Sequence, residues 1–164
     1  MSLKPKIVAV TMGSVLAIAA SFIQPKEGTA LVPYQDGVNV WTVCTGHTGK
    51  DVIRGKRYTQ QECDSLFLSD LGIALDGVNK HLKVEVPDTT RAAFTSFVFN
   101  VGEGKFAKST MLKLANQGRL AESCQQLTAW RYAGGKDCSV RANGCYGIWT
   151  RRLEEKQLCL SELQ

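Results

Sequence analysis

The chain is short of several residue patterns, and each shortage narrows its chemistry. Only two histidines, His47 and His81, occur in 164 residues, and none of the six cysteines stands in a C-x-x-C pair. A metal centre built from closely spaced ligands is therefore not expected, and no cofactor is implied. No serine lies in a G-x-S-x-G elbow; Ser96 and Ser109 stand in other contexts, so an acyl hydrolase is unsupported. Basic residues never run longer than a pair such as Arg151-Arg152, and no helical face gathers them. The net charge of +5 and pI near 8.9 fit an anionic cell envelope at least as well as nucleic acid, and no nucleic-acid partner is expected. Internal repeats, low-complexity tracts and heptad runs are missing too.

What is present begins with an apolar fraction of 44%, which is that of a globular protein, in a chain long enough for one core-bearing domain. Six widely spaced cysteines read as disulfides in an oxidising compartment. The N-terminus points the same way. Ile7–Ile23 runs 17 residues without a charge, the lower limit for a membrane span. Lys4 and Lys6 before it place the N-terminus in the cytoplasm and the rest outside. Eight of those 17 residues are Gly, Ala, Ser or Thr, so the segment is weakly apolar for an anchor. It reads as a cleaved signal peptide with a small-residue site at Ala17-Ile18-Ala19, as a permanent anchor, or as a marginal anchor that leaves the bilayer. Cleavage after Ala19 would leave only seven residues before Glu27.

Along the rest of the chain, Pro25 limits the first helix. Thr59 and Glu62 form a T-x-x-E capping box, opening a helix to about Asn79 with an apolar stripe through Cys63, Phe67, Leu71 and Val78. Asp88 is expected to cap a helix over Thr89–Val101, which Gly102 and Gly104 stop. Further helices are expected over Ser109–Asn116, ending at Gly118, over Leu120–Trp130, and from about Gly147 to Leu160. A polar loop covers Gly134–Cys145. Six cysteines allow many pairings. The helix reading favours Cys124 with Cys159, Cys138 with Cys145, and Cys44 with Cys63.

The chemistry concentrates in Glu27–Gly49, EGTALVPYQDGVNVWTVCTGHTG. Glu27 is followed nine positions on by Asp36 and six further by Thr42. Pro33 and Gly37 favour turns, whereas Val38, Val40, Trp41 and Val43 favour strands, so a short hairpin is expected. Two carboxylates brought together by a hairpin suit glycoside hydrolysis, one as acid and one ionised to handle a water or the sugar cation. The acid must sit where burial or hydrogen bonding favours its neutral form. Trp41 is expected in the core by alternation with Thr42. Tyr34 and Phe99 could stack on sugars or fill the core.

The pattern E-G-x(7)-D-x(5)-T, with W-T-V before G-H-T-G, resembles the active-site segment of the phage-type lysozymes, glycoside hydrolase family 24. Similarity continues to about Cys159 through YTQQECDSLFLSDL and, more loosely, RAAFTSFVFNVGEG, STMLKLANQG and RRLEEKQLCL. The resemblance implies an α+β, mainly helical fold with a small hairpin lobe, a long connecting helix and a helical C-terminal lobe. It implies that Glu27 is the general acid, that Asp36 and Thr42 position the attacking water, and that the anomeric configuration inverts. It also implies that Asn100 and Gly102 face the substrate cleft. His47 is then not needed as a base, and a structural role is expected for it, with Asp70 as partner. The N-terminal segment resembles that of signal-anchor-release endolysins, which divides the chain into a retained segment, 1–26, and a catalytic domain, 27–164.

The resulting expectation is a monomeric muramidase. It cuts the β-1,4 bond between N-acetylmuramic acid and N-acetylglucosamine in peptidoglycan glycan strands, first held in the inner membrane and then released to the periplasm. The rivals are a lytic transglycosylase, which needs the acid but neither Asp36 nor Thr42, and a membrane-tethered, non-catalytic peptidoglycan-binding module.

Overall fold

A computed structural model describes residues 4–163, with side chains from residue 13 onward. Its elements in order are α1 (Lys4–Ile23), β1 (Ala30–Gln35), β2 (Trp41–Cys44), β3 (His47–Thr48), α2 (Gln60–His81), α3 (Asp88–Val101), α4 (Glu103–Ala107), α5 (Thr110–Asn116), α6 (Leu120–Gln125), β4 (Tyr132–Ala133), β5 (Lys136–Asp137) and α7 (Tyr146–Leu160). The fold is α+β and mainly helical, with a small antiparallel sheet, as the sequence implies.

The side chains described on α1 bury one stripe, Val15, Ala19 and Ile23, at i, i+4, i+8 spacing. That stripe packs on Phe67, Leu71 and Leu75 of α2 and Ala92 of α3. Full burial of a Val or Ile side chain is worth about 1.5–3 kcal/mol, so the docked helix is held by a real core. Gly13, Ser14, Ala17 and Ser21 face solvent, and the Ser21 hydroxyl donates to the Ala17 carbonyl at 2.8 Å. No helix among the described residues is long and apolar enough to cross a membrane. The expected span over Ile7–Ile23 includes residues 7–12, whose side chains lie outside those described. Gln24–Lys26 forms one 3-10 turn with Pro25 in its first positions, after which Glu27 turns extended. Lys26 bridges to Glu154 of α7 at 3.0 Å and stacks over Phe22, fixing the exit of α1.

Strands β1, β2 and β3 form an antiparallel sheet in that order. Register runs Tyr34 opposite Thr42 and Gln35 opposite Trp41, with a shift between Ala30 and Tyr34. Pro33, which has no N–H to give a ladder, lies in the shifted stretch. The central strand is covered on both faces: Thr42, Val43 and Cys44 are all buried. Trp41 is only half-buried, with the Arg54 guanidinium 5.0 Å from its ring centroid. The expectation that Trp41 alternates inward against Thr42 is thus reversed.

The capping box forms as predicted: Thr59 accepts from the Glu62 amide, and the Glu62 carboxylate accepts from the Thr59 amide at 2.8 Å. Asp88 is not a cap. Pro87 takes that position, its extended ψ of 152° leading straight into the helix, and Asp88 becomes the first helical residue. Helix α3 is buried all round from Ala92 to Val98 and forms the axis of the C-terminal lobe. Its Phe94 and Phe97 share a core with Phe106, Met111 and Leu127. Gly102 does stop α3, with φ of 100°, but a further short helix, α4, starts at once behind it. Gly77 permits that arrangement, since a Cβ there would lie 3.1 Å from Cγ of Glu103 on α4. The expected helix over Leu120–Trp130 divides into α6 and a 3-10 turn, Gln126–Ala129. The expected polar loop, Gly134–Cys145, is entered through a two-residue pairing, β4 just before it with β5 inside it.

The structure pairs Cys44 with Cys63, Cys124 with Cys159, and Cys138 with Cys145. The first ties the sheet to α2, the second α6 to α7, and the third closes the loop before α7. Each bridge is worth about 2–4 kcal/mol. Thiol labelling of denatured, unreduced protein should find no reactive cysteine; two or more labelled thiols per chain would refute this scheme.

Candidate active site

Glu27 lines a cleft of about 440 Å³ between the sheet and the helical lobe. Thr45, Gly46 and Thr48 form the wall from the sheet side, Asp70 comes from α2, and Asn100 and Gly102 come from the end of α3. Glu27, Asn100 and Gly102, which the sequence places in one site, thus meet. The Glu27 carboxylate accepts a hydrogen bond from Nη2 of Arg151 on α7, and the side chain remains 28% exposed. The guanidinium fixes the carboxylate, which remains partly exposed where Glu27 lines the cleft.

Asp36 and Thr42 are not among the residues lining that cleft. They belong to the hairpin, and one residue organises both. Asp36 Oδ1 accepts from the amides of Val38 and Val40, each at 2.9 Å, and its own amide donates to the Val40 carbonyl at 3.0 Å. The Thr42 hydroxyl donates to that same carbonyl at 3.1 Å. The turn needs a residue tolerant of positive φ at its far corner, and Asn39, at 63°, supplies it. The carboxylate is thus held through one oxygen by an Asx-type turn, and the hydroxyl is fixed relative to it through Val40.

His47 is 9% exposed and sits between two carboxylates. Nδ1 lies 2.8 Å from Asp70 and Nε2 3.1 Å from Asp51. Burial alone would lower its pKa, but Asp70 and then Asp51 outweigh burial and hold it above the ordinary 6.5. A histidine raised in this way contributes stability that is complete below its unfolded pKa and is lost as pH rises through its folded one. His47→Asn should therefore lower unfolding free energy by about 1–3 kcal/mol near pH 6, with a smaller loss near pH 9. Urea titrations at both pH values check this, and equal losses would exclude the charged pair as the source.

Several site residues were not singled out from sequence. Arg151 carried no signal beyond its place in an arginine pair, because its partner is 124 positions away. Glu103, which also lines the cleft, is held by His81 at 2.9 Å and Lys80 at 3.1 Å, which keep its carboxyl below the usual range. Arg152 and Glu155 form a fully buried pair behind Asn100. Burial pushes Glu155 up to about 6, against the pull of Arg152 and Ser96.

Comparison with known proteins places the whole chain. Residues 24–155 match the family described as Phage lysozyme. The SAR-endolysin of Enterobacteria phage PA-2 is 45% identical over 152 residues, covering 93% of this chain and 88% of that protein. The SAR-endolysin of Enterobacteria phage P21 is 43% identical over the same shares. Among solved structures, the active form of the P1 phage endolysin Lyz superposes with a TM-score of 0.76 at 26% identity, covering 96% of this chain and 95% of that one. A family match over residues 24–155 and relatives above 40% identity across 93% of the chain lead to one assignment: the chain belongs to the phage lysozyme family.

Proposed function

We propose that this phage endolysin acts as an inverting muramidase on the β-1,4 bond between N-acetylmuramic acid and N-acetylglucosamine. The observation that carries the reading is Glu27, held by Arg151 and lining a cleft that also presents Asn100 and Gly102. Glu27 protonates the leaving oxygen. Asp36, with Oδ1 committed to the turn, uses its other oxygen to activate a water, and Thr42 helps to hold that water. Incubation with purified sacculi should release reducing ends at a rate that Glu27→Gln suppresses. Tight binding without new reducing ends would leave only a wall-binding module.

The same reading covers location. The segment Ile7–Ile23 first spans the inner membrane once, with the N-terminus in the cytoplasm, and is then retained as α1 in a monomeric periplasmic enzyme. The buried stripe of α1 and the likeness to an active endolysin form across 96% of the chain support this sequence of states. While the segment spans the bilayer, Glu27 lies four residues from its end, and the surface that α1 covers on α2 and α3 has no helix on it.

A further inference from the structure

We infer that Asn100 is a fixed N–H donor for an acetamido carbonyl of the glycan, and that the buried Arg152–Glu155 pair is the device that turns it to that task. The inference rests on the muramidase reading above. Arg152 is 1% exposed and Glu155 fully buried. Glu155 Oε1 accepts from Ser96 Oγ at 2.7 Å and from Arg152 Nη2 at 3.0 Å. Arg152 Nε lies 2.8 Å from Oε2 but off the hydrogen-bonding direction, so that contact is ionic only. The face of Phe97 covers the guanidinium at 5.2 Å. Buried ion pairs are often replaceable by apolar side chains without loss of stability, so stability does not explain this one.

Its connection to the cleft does. The same Nη2 donates to Oδ1 of Asn100 at 3.1 Å. Arginine has donors and no acceptor, so the amide oxygen of Asn100 must be the atom facing it. The amide nitrogen is thereby left on the other side of an exposed residue that lines the cleft. Consecutive residues of α7 thus set two groups of one site: Arg151 holds Glu27 and Arg152 orients Asn100. An NH₂ group with no acceptor capacity is complementary to an oxygen that only accepts. Sugar hydroxyls both give and take, and any polar group serves them. The acetamido carbonyl on each sugar of the proposed substrate only accepts, and a donor held in one orientation selects for it.

The test is binding to purified peptidoglycan, N-acetylated and chemically N-deacetylated, in the Glu27→Gln background so that nothing is cleaved. That protein should bind the acetylated polymer about tenfold more tightly, the worth of one good hydrogen bond. Adding Asn100→Asp keeps an oxygen for Arg152 but removes the donor; adding Asn100→Leu removes the donor without adding charge. Both should bring the ratio near unity. Arg152→Met combined with Glu155→Leu, which removes the guanidinium that holds Asn100 without stranding a buried charge, should do the same. Asn100 is exposed, so its variants decide the matter even if that double variant fails to fold. A ratio unchanged by both Asn100 substitutions, or absent from the start, overturns the inference. Equal weakening on both polymers overturns it as well, since the donor then serves another group such as a stem-peptide carbonyl. Failure of wild-type protein to release reducing ends from intact sacculi would instead defeat the muramidase reading.

Discussion

Glu27→Gln should abolish host lysis while the protein accumulates and folds normally. Glutamine keeps the side chain's shape and can still accept the hydrogen bond that Arg151 gives to Glu27, so what is lost is the carboxyl group's charge and its transferable proton. Removing a positioned general acid lowers the rate by a factor of about 10²–10⁴, or about 2.7–5.5 kcal/mol of barrier. Asp36→Asn should behave alike. Asparagine Oδ1 can accept from the Val38 and Val40 amides as Asp36 does, so the turn survives and the base does not. Lysis curves, thermal melts and reducing-end assays on each variant separate loss of chemistry from loss of fold. A Glu27→Gln protein that clears cells at the wild-type rate would end the lysozyme reading.

Replacing Gly13, Ser14 and Ser21 together with Leu should produce cells that fill with endolysin and do not lyse. All three positions face solvent on the docked α1, opposite the stripe of Val15, Ala19 and Ile23, and a Cβ at Gly13 meets nothing within 4 Å. The folded enzyme can therefore accept the leucines. The bilayer gains far more: each added leucine in hydrocarbon is worth about 1.5–3 kcal/mol. Three shift the membrane-to-solution balance by roughly a thousandfold or more. Protein extracted and refolded in solution should still cut peptidoglycan at the wild-type rate, which distinguishes a locked anchor from a damaged enzyme. Lysis on the wild-type schedule would show that release is not coupled to catalysis.

Local chemistry was readable in the sequence and distant chemistry was not. The Thr59–Glu62 capping box, the hairpin around Asp36 and the αL glycine after α5, Gly118 at φ of 76°, involve partners a few residues apart, so residue type and spacing suffice. The contacts of Arg151 and Arg152 join α7 to Glu27 and to α3 across 124 and 52 positions, and no periodicity records them. Trp41 was misjudged because simple alternation assumes one covered face, whereas β2 is the central strand and buries three consecutive residues. Helix α4 was missed because Gly102 and Gly104 both read as stops, yet Gly102 serves as its N-terminal flanking residue and Gly77 makes room for Glu103. Asn100 and Gly102 could be placed in the cleft only through family likeness, and the device that orients Asn100 lies wholly in the packing behind it.

We propose direct hydrolysis by water that Asp36 and Thr42 deliver while Glu27 protonates the leaving group. Proton NMR of the first reducing ends released from purified glycan strands tests it, recorded before mutarotation equilibrates them. Attack by water on the face opposite the leaving group converts the β linkage into an α reducing end on N-acetylmuramic acid, and the α anomer should appear first. Initial release of the β anomer would mean a retaining mechanism, and anhydro ends in place of reducing ends would mean a transglycosylase; either result would contradict the roles given to Asp36 and Thr42.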